Sequence, residues 1–408
     1  MLRVASLSLF LAIPVSAADW PQFRGTTGDG HYDGPKLPTE WGPDKNVAWK
    51  VVIPGKGWSS PIVSKGKVYL TTAVPQANGD QSLRAVCVSA DTGKIEWDNQ
   101  VFLAAKSKAI AHSKNSHASP TPATDGERLY VHFGHNGTAA LDLMGKTLWT
   151  RTGLYSQPVH GNGGSPILVD DRLVFSCDGQ DRQFVIALET NSGKTAWQKP
   201  RETSAVKKFS FSTPTVIEVD GKKQVVSVGS EKIASYDAKT GEELWRSKFD
   251  GYSLIPKPVV GNGMVYFATG YDRPTFQAVK LGGSGDVTTS HVAWTLTKGA
   301  PHTPSPLLVG DEVYVVSDRG VMSCIDAKTG EVVWTGQMKG AYSASPILAD
   351  GKIYLTSEEG KGTLVETGRK FKVLDEFDMK EKTFASFAGV DGALYIRTET
   401  QLYKFTSR

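Results

Sequence analysis

Short apolar segments, separated by Gly, Pro and Asp, recur along the chain from about residue 46 onward. Val68–Thr72 shows the alternation of apolar and polar positions that is typical of a β-strand with one buried face. Seven of the eight groups of segments open with a Pro that follows Ser, Thr or, once, Lys. A Pro is tolerated there because the first residue of a strand need not donate to the sheet. Four short strands per group, with turn residues between them, predict one blade of a β-propeller.

The most regular part of each group is a turn followed by a strand that carries a Trp. Asp237–Trp245 reads DAKTGEELW and Asp326–Trp334 reads DAKTGEVVW. Asp bonds its own backbone to begin a tight turn, and Gly supplies the positive φ that ends it. The spacings between successive Trp residues are 52, 48, 48, 49 and 40, a period that predicts a solenoid or a propeller. We expect the six indoles to pack between blades: Trp97, Trp149, Trp197, Trp245, Trp294 and Trp334.

The two ends of the chain complete each other. The eighth group, Phe384–Phe405, contains three strand-like segments, and Asn46–Ile53 is a fourth strand with its own Trp49. Joining them closes the ring and leaves no open sheet edge. The sequence therefore predicts an all-β protein whose residues 46–408 form an eight-bladed β-propeller of four-stranded antiparallel blades. The N-terminal strand joins the last blade. We expect residues 18–45, rich in Gly, Pro and Asp, to be irregular and to lie on the surface.

Residues 1–17 have the pattern of a secretory signal peptide. Arg3 gives a positive start, Val4–Val15 is apolar, and Val15–Ala17 offers a small-residue cleavage site. An apolar run of about a dozen residues is shorter than the ~20 that span a bilayer, so no membrane span is predicted. There is no Cys near the cleavage site, which argues against a lipoprotein. We expect an exported monomer, periplasmic or secreted.

Composition excludes some classes of function. The chain has 408 residues, whereas a single hydrophobic core stops growing at roughly 250–300 residues. A repeat protein is not subject to this limit because each repeat packs only on its neighbours. Charged residues make up 22% with a net charge of +4 and no concentrated basic run, which argues against a nucleic-acid partner. Cys87, Cys177 and Cys324 are far apart, so we expect buried apolar residues and not a disulfide framework or a zinc site.

The repeated A-x-D-x-x-T-G-x-x-x-W pattern resembles the tryptophan-docking repeat of the pyrroloquinoline quinone (PQQ) propellers. That superfamily includes quinoprotein alcohol dehydrogenases and the outer-membrane assembly scaffold BamB. The resemblance covers the chain from about Asn46 to its end. WPQFRG at Trp20, KNSHASPTP at Lys114 and the segment from Gly299 to Gly320 are similar to a narrower set of exported bacterial PQQ-binding-like repeat proteins.

The resemblance implies the fold more strongly than it implies an activity. In the dehydrogenases the quinone stacks beneath a ring formed by two adjacent cysteines, beside a calcium ion and a catalytic Asp. This sequence has no adjacent cysteines, and no Asp or Glu matches the base or the calcium ligands by motif. PQQ with calcium is therefore not indicated by the motif residues, and no cofactor, metal ligand or catalytic residue is assigned.

A ligand site is expected at one mouth of the channel. The loops that lead into the first strands share that face with the hairpins between second and third strands. The alternative is that these residues only satisfy backbone groups. The candidates are aromatic or titratable residues next to the strand-opening prolines, together with one hairpin Arg: Trp58, His117, His160, Phe211, Lys257, His302, Arg319 and Tyr342.

Two further features were left open by the sequence. Asp-Arg pairs at Asp181, Asp272 and Asp318 could line a polar rim, or form salt bridges between blades. The insertion Phe102–Ser116 could cover the mouth as a basic lid or be a solvated loop.

The sequence carries no nucleophile elbow, zinc-protease or phosphate-loop motif. We therefore expect a non-catalytic scaffold that binds a protein partner or a small extracytoplasmic ligand at the channel face. The first alternative is a PQQ- and metal-dependent oxidoreductase. The second is carbohydrate binding through Trp58, Phe211 and Tyr342, which requires their rings to be coplanar and exposed at the mouth.

Overall fold

The structure is a computed structural model that describes residues 19–407. The predicted signal peptide at residues 1–17 lies outside the described residues. Within 19–407 the fold is all-β, with two short 3₁₀ turns at Lys106–Lys108 and Gly134–Asn136 and no helix long and apolar enough to cross a membrane.

The strands form eight blades numbered in chain order. β1 (His31–Tyr32) and β2 (Val47–Val52) come before the first complete blade. Blade 1 contains β3 (Ile62–Ser64), β4 (Lys67–Pro75), β5 (Gln81–Ser89) and β6 (Ile95–Ala104), and blade 2 contains β7 (Ala123–Thr124), β8 (Arg128–His132), β9 (Thr138–Asp142) and β10 (Thr147–Arg151). Blade 3 contains β11 (Ile167–Val169), β12 (Arg172–Asp178), β13 (Gln183–Glu189) and β14 (Thr195–Pro200). Blade 4 contains β15 (Thr215–Val219), β16 (Lys222–Gly229), β17 (Lys232–Asp237) and β18 (Glu243–Lys248). Blade 5 contains β19 (Val259–Gly261), β20 (Met264–Ala268), β21 (Phe276–Lys280) and β23 (Val292–Leu296). The short β22 (Gly285–Asp286) lies between β21 and β23 in the chain but belongs to the sheet of blade 4. Blade 6 contains β24 (Leu307–Val309), β25 (Glu312–Val316), β26 (Val321–Asp326) and β27 (Val332–Gln337). Blade 7 contains β28 (Ile347–Ala349), β29 (Lys352–Thr356), β30 (Lys361–Glu366) and β31 (Val373–Asp378), and blade 8 contains β32 (Ala388–Val390), β33 (Ala393–Arg397) and β34 (Gln401–Thr406).

Each blade is a four-stranded antiparallel meander, as predicted. Two blades gain a short parallel strand: β22 adds to the outer edge of blade 4, and β1 adds to the inner edge of blade 7. Blade 8 has the order β2-β34-β33-β32, in which Val47 pairs with Phe405 and Val52 with Gln401. The N-terminal strand therefore closes the ring, which confirms the predicted fold.

The repeated Trp residues join each blade to the next. The indole N–H of Trp197 donates to Ala238 O at 3.0 Å, and its ring lies against Gly241 in the following blade. Any Cβ at Gly241 would lie 2.6 Å from that ring, so the turn Gly is needed for the approach as well as for its φ of +73°. The same arrangement is made by Trp49, Trp97, Trp149 and Trp294. Trp334 donates to Gly368 O, and Trp245 is buried without an acceptor for its N–H in the described region.

Much of the segment before β2 is buried, which corrects the expectation that this segment lies on the surface, although residues 33–36 are exposed. Trp20 pairs with Val63 on the innermost strand of blade 1, and Thr124 N of blade 2 donates to Pro21 O. Trp20, Arg24, Tyr32, Leu37 and Trp41 are each at most 7% exposed. The four apolar residues are buried because they pack on blades 1, 7 and 8. We call residues 19–32 the plug.

Cys87, Cys177 and Cys324 are buried in separate clusters between blades, as expected. Burial raises the pKa of each thiol. They are therefore unreactive parts of the packing.

Candidate functional site

A cavity of about 720 Å³ opens at the centre of one face. Its lining includes residues from the loops that lead into the first strands of all eight blades, and from hairpins between second and third strands. We call this end of the channel the mouth. The size falls in the range of about 300–1,000 Å³ that is usual for ligand pockets.

A ring of hydroxyl side chains surrounds the lower part of the cavity. In every blade but the fourth, the residue just before the first strand (before its opening Pro, or before Phe387 in blade 8) donates its N–H to the side-chain hydroxyl of the equivalent residue in the next blade. Lys257 occupies this position in blade 5 and has no hydroxyl to offer. Seven such bonds are present in the described chain: Ser60 to Thr121 (3.0 Å), Thr121 to Ser165 (2.9 Å), Ser165 to Thr213 (2.9 Å), Lys257 to Ser305 (3.0 Å), Ser305 to Ser345 (3.0 Å), Ser345 to Ser386 (2.9 Å) and Ser386 to Ser60 (3.0 Å).

Phe23 of the plug also lines the cavity. Because the rest of the plug binds the innermost strands of blades 1 and 2, Phe23 reaches the cavity from the opposite end of the channel. The N-terminal segment therefore contributes Phe23 to the floor of the cavity.

One wall of the cavity is an aromatic cluster. His160 lies 5.1 Å from Phe209 and 6.2 Å from Phe211, measured between ring centroids, and Phe209 lies 5.8 Å from Tyr252. Lys207 Nζ lies 4.2 Å from the centroid of the Tyr252 ring. The wall therefore offers apolar contact together with one exposed cation at its edge.

The opposite wall contains Trp58, whose ring lies 4.8 Å from Phe384. Trp58 is only 6% exposed, and Tyr342 is fully buried in the core between blades 6 and 7, where its hydroxyl donates to Lys339 O. Trp58, Phe211 and Tyr342 thus do not present coplanar exposed rings. The condition for carbohydrate binding through these three residues is not met.

The insertion reaches over the mouth. Beyond β6 and the 3₁₀ turn, His112, Lys114 and Asn115 line the cavity. His112 N and Asn115 Nδ2 both donate to His160 O, at 3.0 and 2.9 Å. Lys114 Nζ binds Glu358 Oε1 at 2.9 Å and so connects blade 2 to blade 7 across the opening. Of the two alternatives, the structure favours the lid.

Acidic residues in the hairpins fix the loops of the mouth. Asp181 accepts hydrogen bonds from Ser156 N, at 2.9 Å, and from Gln157 N, at 3.0 Å. Asp318 does the same for His302 N and Thr303 N. Asp181 and Asp318 therefore hold the loop that leads into their own blade. Asp272 and Asp318 also line the cavity, as the polar-rim alternative requires, and Asp272 Oδ2 lies 3.8 Å from Lys207 Nζ in the loop leading into blade 4. Glu231 and Glu359 play this part in blades 4 and 7, where no Asp-Arg pair marked them: their partners are Ser204 N and Ala341 N.

The structure brings together only some of the predicted site residues. Trp58, His160 and Phe211 line the cavity, while Lys257 and Tyr342 are buried outside its lining. His117, His302 and Arg319 lie in the mouth loops but do not line the cavity either. Burial lowers the pKa of His117 and of His160, and His135 and His112 respectively lower it further. Sequence reasoning missed five aromatic lining residues because they lie outside the Pro-linked positions used to search: Phe23, Phe209, Tyr252, Tyr271 and Phe384.

The residues do not fit the cofactor site of the PQQ dehydrogenases. The three cysteines are held in different parts of the core, so a ring of adjacent cysteines has no counterpart. Among residues 19–407, no three His, Cys, Asp or Glu side chains are gathered so that they could hold a metal ion. Both Asp181 oxygens accept hydrogen bonds from backbone N–H groups of the mouth loops. Asp318 accepts from backbone N–H groups at Oδ1 and from Thr303 Oγ1 at Oδ2.

Comparison with known proteins gives consistent matches. A curated relative, the outer membrane protein assembly factor BamB of Burkholderia pseudomallei (strain K96243), is 26% identical over 299 residues. The match covers 68% of this chain and 66% of the relative, just under two thirds of its length. BamB from Moraxella catarrhalis has a similar fold, with a TM-score of 0.63 at 14% identity over 89% of this chain and 97% of that one. The designed protein Ika8 matches with a TM-score of 0.58 at 11% identity, over 87% and 98% of the two chains.

A family profile described as "Outer membrane protein assembly factor BamB" matches residues 39–182, 181–305 and 283–371. These ranges extend from the segment before β2 into blade 7 and contain all six repeat Trp residues. On this match, which covers well over half of its residues, the chain belongs to the BamB family of PQQ-repeat β-propellers.

Proposed function

We propose that this protein is an extracytoplasmic scaffold that holds a protruding segment of a partner protein in the mouth cavity. The relatives are named as outer membrane protein assembly factors, and we carry this role to the present chain as part of the proposal. The observation that carries it is the cavity itself, which is large, is walled by aromatic rings and has Phe23 at its floor.

The apolar surface extends beyond the cavity, which favours a macromolecular partner over a small ligand. Ile110, Val206 and Tyr271 are 41%, 89% and 48% exposed, and they belong to the lid and to loops that line the mouth. Exposed apolar side chains around a pocket with aromatic anchors are typical of protein docking sites. A small ligand would contact only the cavity walls and would leave the apolar side chains of this rim exposed.

We further propose that the scaffold works as a monomer. The ring is closed by pairing within one chain, so no blade requires a second copy to complete its sheet.

Photo-crosslinking in cells tests the docking face. A photoreactive residue at Val206 or Tyr271 should crosslink to a discrete partner protein, because both positions lie on the mouth rim. Met144 is the matched control: it is 80% exposed but lies in the turn between β9 and β10, which is at the other end of the blades. Equal crosslinking from Met144 would contradict the proposal.

A second arm tests the cavity. Ile255→Trp places a larger ring among the lining residues and should abolish the crosslinks from position 271. Val332→Trp makes the same kind of change on the outermost strand of blade 6, where Val332 is 42% exposed, and should leave them intact. Crosslinks that survive Ile255→Trp would show that the partner binds the rim without entering the cavity.

A further inference from the structure

Arg24 and Lys257 are buried in the channel region near a single carboxylate, that of Asp29. Arg24 belongs to the plug, and Lys257 precedes the first strand of blade 5 at the position where other blades carry Ser or Thr. Arg24 is 1% exposed and Lys257 is 2% exposed. Burying a charge without a partner is strongly unfavourable, so these two groups need an explanation.

Both cations contact one turn of the plug. Lys257 Nζ lies 2.7 Å from the position that a Cβ on Gly28 would occupy, and Arg24 Nη2 lies 2.6 Å from the corresponding position at Gly30. Gly28 and Gly30 have φ values of +71° and +89°. The turn therefore wraps closely around the two charged groups, and a side chain at either glycine would displace them.

Most of the donors on these groups are unused. Arg24 Nη2 donates to Asp29 O at 2.6 Å, while Arg24 Nε and Nη1 are buried with no acceptor in the described structure. Lys257 Nζ donates to Pro214 O at 3.1 Å, although an ammonium group has three hydrogens to donate. Buried donors that have no acceptor within the chain are normally satisfied by water or by a bound ion.

Other groups near the turn do not supply the missing acceptor. The Asp29 carboxylate accepts hydrogen bonds from Thr27 Oγ1, at 2.7 Å, and from His31 N, at 3.0 Å. The His31 ring faces Leu308 O. Gln22 uses Nε2 on Thr26 O, and its Oε1 is buried without a partner.

The formal charge of this region can be balanced in two ways. Arg24 and Lys257 carry two positive charges against the single carboxylate of Asp29, so either Lys257 is neutral or an anion is present. Burial, and then the charge of Arg24, lower the pKa of Lys257 to about 7, which keeps both states accessible at neutral pH. The unused donors of Arg24 are not explained by a neutral lysine.

We propose that a small inorganic anion of chloride size binds between Arg24 and Lys257, beneath the floor of the mouth cavity. The anion is small because neither cation belongs to the lining of the mouth cavity, so the site is enclosed. It would fasten the plug to blade 5, where the ring of hydroxyl bonds is interrupted. This site is independent of the proposed partner docking.

Bromide replaces chloride in such a site and can be located by its anomalous scattering. In crystals grown in sodium bromide, we expect an anomalous peak between the side chains of Arg24 and Lys257. In solution, replacing sodium gluconate by sodium chloride at constant ionic strength should raise Tm. At a tenfold excess over its Kd the anion should raise Tm by about 2 °C for a chain of this length.

Lys257→Met should remove the chloride-dependent rise in Tm. The matched control is Lys232→Met, since Lys232 is also buried, at 7% exposed, but lies 3.5 Å from the Glu243 carboxylate. Its chloride response should match that of the unmodified protein. If Lys257→Met does not fold, the bromide peak in the unmodified protein still decides the question.

The proposal is overturned by three results together: no bromide peak, the same Tm in chloride and gluconate, and a Tm that rises between pH 7 and 10. The last result is the signature of a neutral lysine. The unfolded chain would then bind a proton in that range that the folded protein does not.

Discussion

Replacing Gly241 by Ala tests how neighbouring blades are joined. The Trp197 ring lies so close to Gly241 that an added Cβ would be 2.6 Å from Cδ2 and 2.7 Å from Cε3. Trp197 is 7% exposed, and its N–H donates to Ala238 O at 3.0 Å. The substitution must therefore strain the turn and displace the indole at the same time.

Both costs follow from the geometry. A residue with a Cβ held at a φ of +73° costs about 1–2 kcal/mol. Carbon atoms prefer separations of roughly 3.5–4.0 Å, so the ring must move by about 1 Å. That movement breaks a hydrogen bond whose donor is buried, at about 1–3 kcal/mol. We expect Gly241→Ala to lower the free energy of unfolding by about 2–5 kcal/mol.

Urea denaturation provides the measurement, and Gly221→Ala provides the control. Gly221 has a φ of +71°, but nothing lies within 4 Å of the added Cβ, so only the backbone cost of about 1–2 kcal/mol is expected. In a Trp197→Leu background, the cost of Gly241→Ala should fall to that of Gly221→Ala. Equal effects of the two glycine substitutions in the unmodified protein would refute the docking argument.

Three further predictions concern pH, the mouth loops and the plug. Burial lowers the pKa of His132 to about 3, whereas the same side chain has a pKa of about 6.5 in the unfolded chain. Below pH 6.5 the unfolded chain therefore binds a proton that the folded protein does not, and the free energy of unfolding should fall by about 1.4 kcal/mol per pH unit. His132→Gln should flatten this slope in urea titrations, and an unchanged slope would assign it to other groups. Asp181→Ala removes the acceptor of Ser156 N and Gln157 N, so the amide hydrogens of these two residues should exchange faster. Unchanged protection of the two amides would contradict the role of Asp181 in holding the loop. Phe23→Ala should cost about 1–2 kcal/mol in urea denaturation because Phe23 is half-buried, and no loss would mean that its ring does not pack at the cavity floor.

The blades were predictable because their signals are local. The Asp turn, the positive-φ Gly and the following Trp occur within nine residues, as in Asp237–Trp245, and each specifies its own turn and contact. The closing strand was also predictable, since Trp49 repeats the pattern at the other end of the chain. The structure pairs it with β34, as the missing strand requires.

The plug and part of the site were not predictable from such signals. The abundance of Gly, Pro and Asp indicates that residues 18–45 are irregular, but composition does not indicate where an irregular segment packs. Trp20 and Trp41 in that segment were the available hint, because two large aromatic rings need burial. The prediction that Tyr342 lies at the mouth failed for another reason. Neighbouring residues of a loop point to opposite sides, and Tyr342 turns into the core while Ser343 lines the cavity.

The pairing of β2 with β34 makes the two most distant parts of the described chain meet in one sheet. Contacts of such large sequence separation form late in folding, because the entropy of closing a long loop is lost before the contact is gained. Blade 8 should therefore be the last to assemble and the first to open. The plug is continuous with β2, so the same late step would seat Phe23 beneath the mouth. The protein would become competent to bind a partner only when its ring is complete.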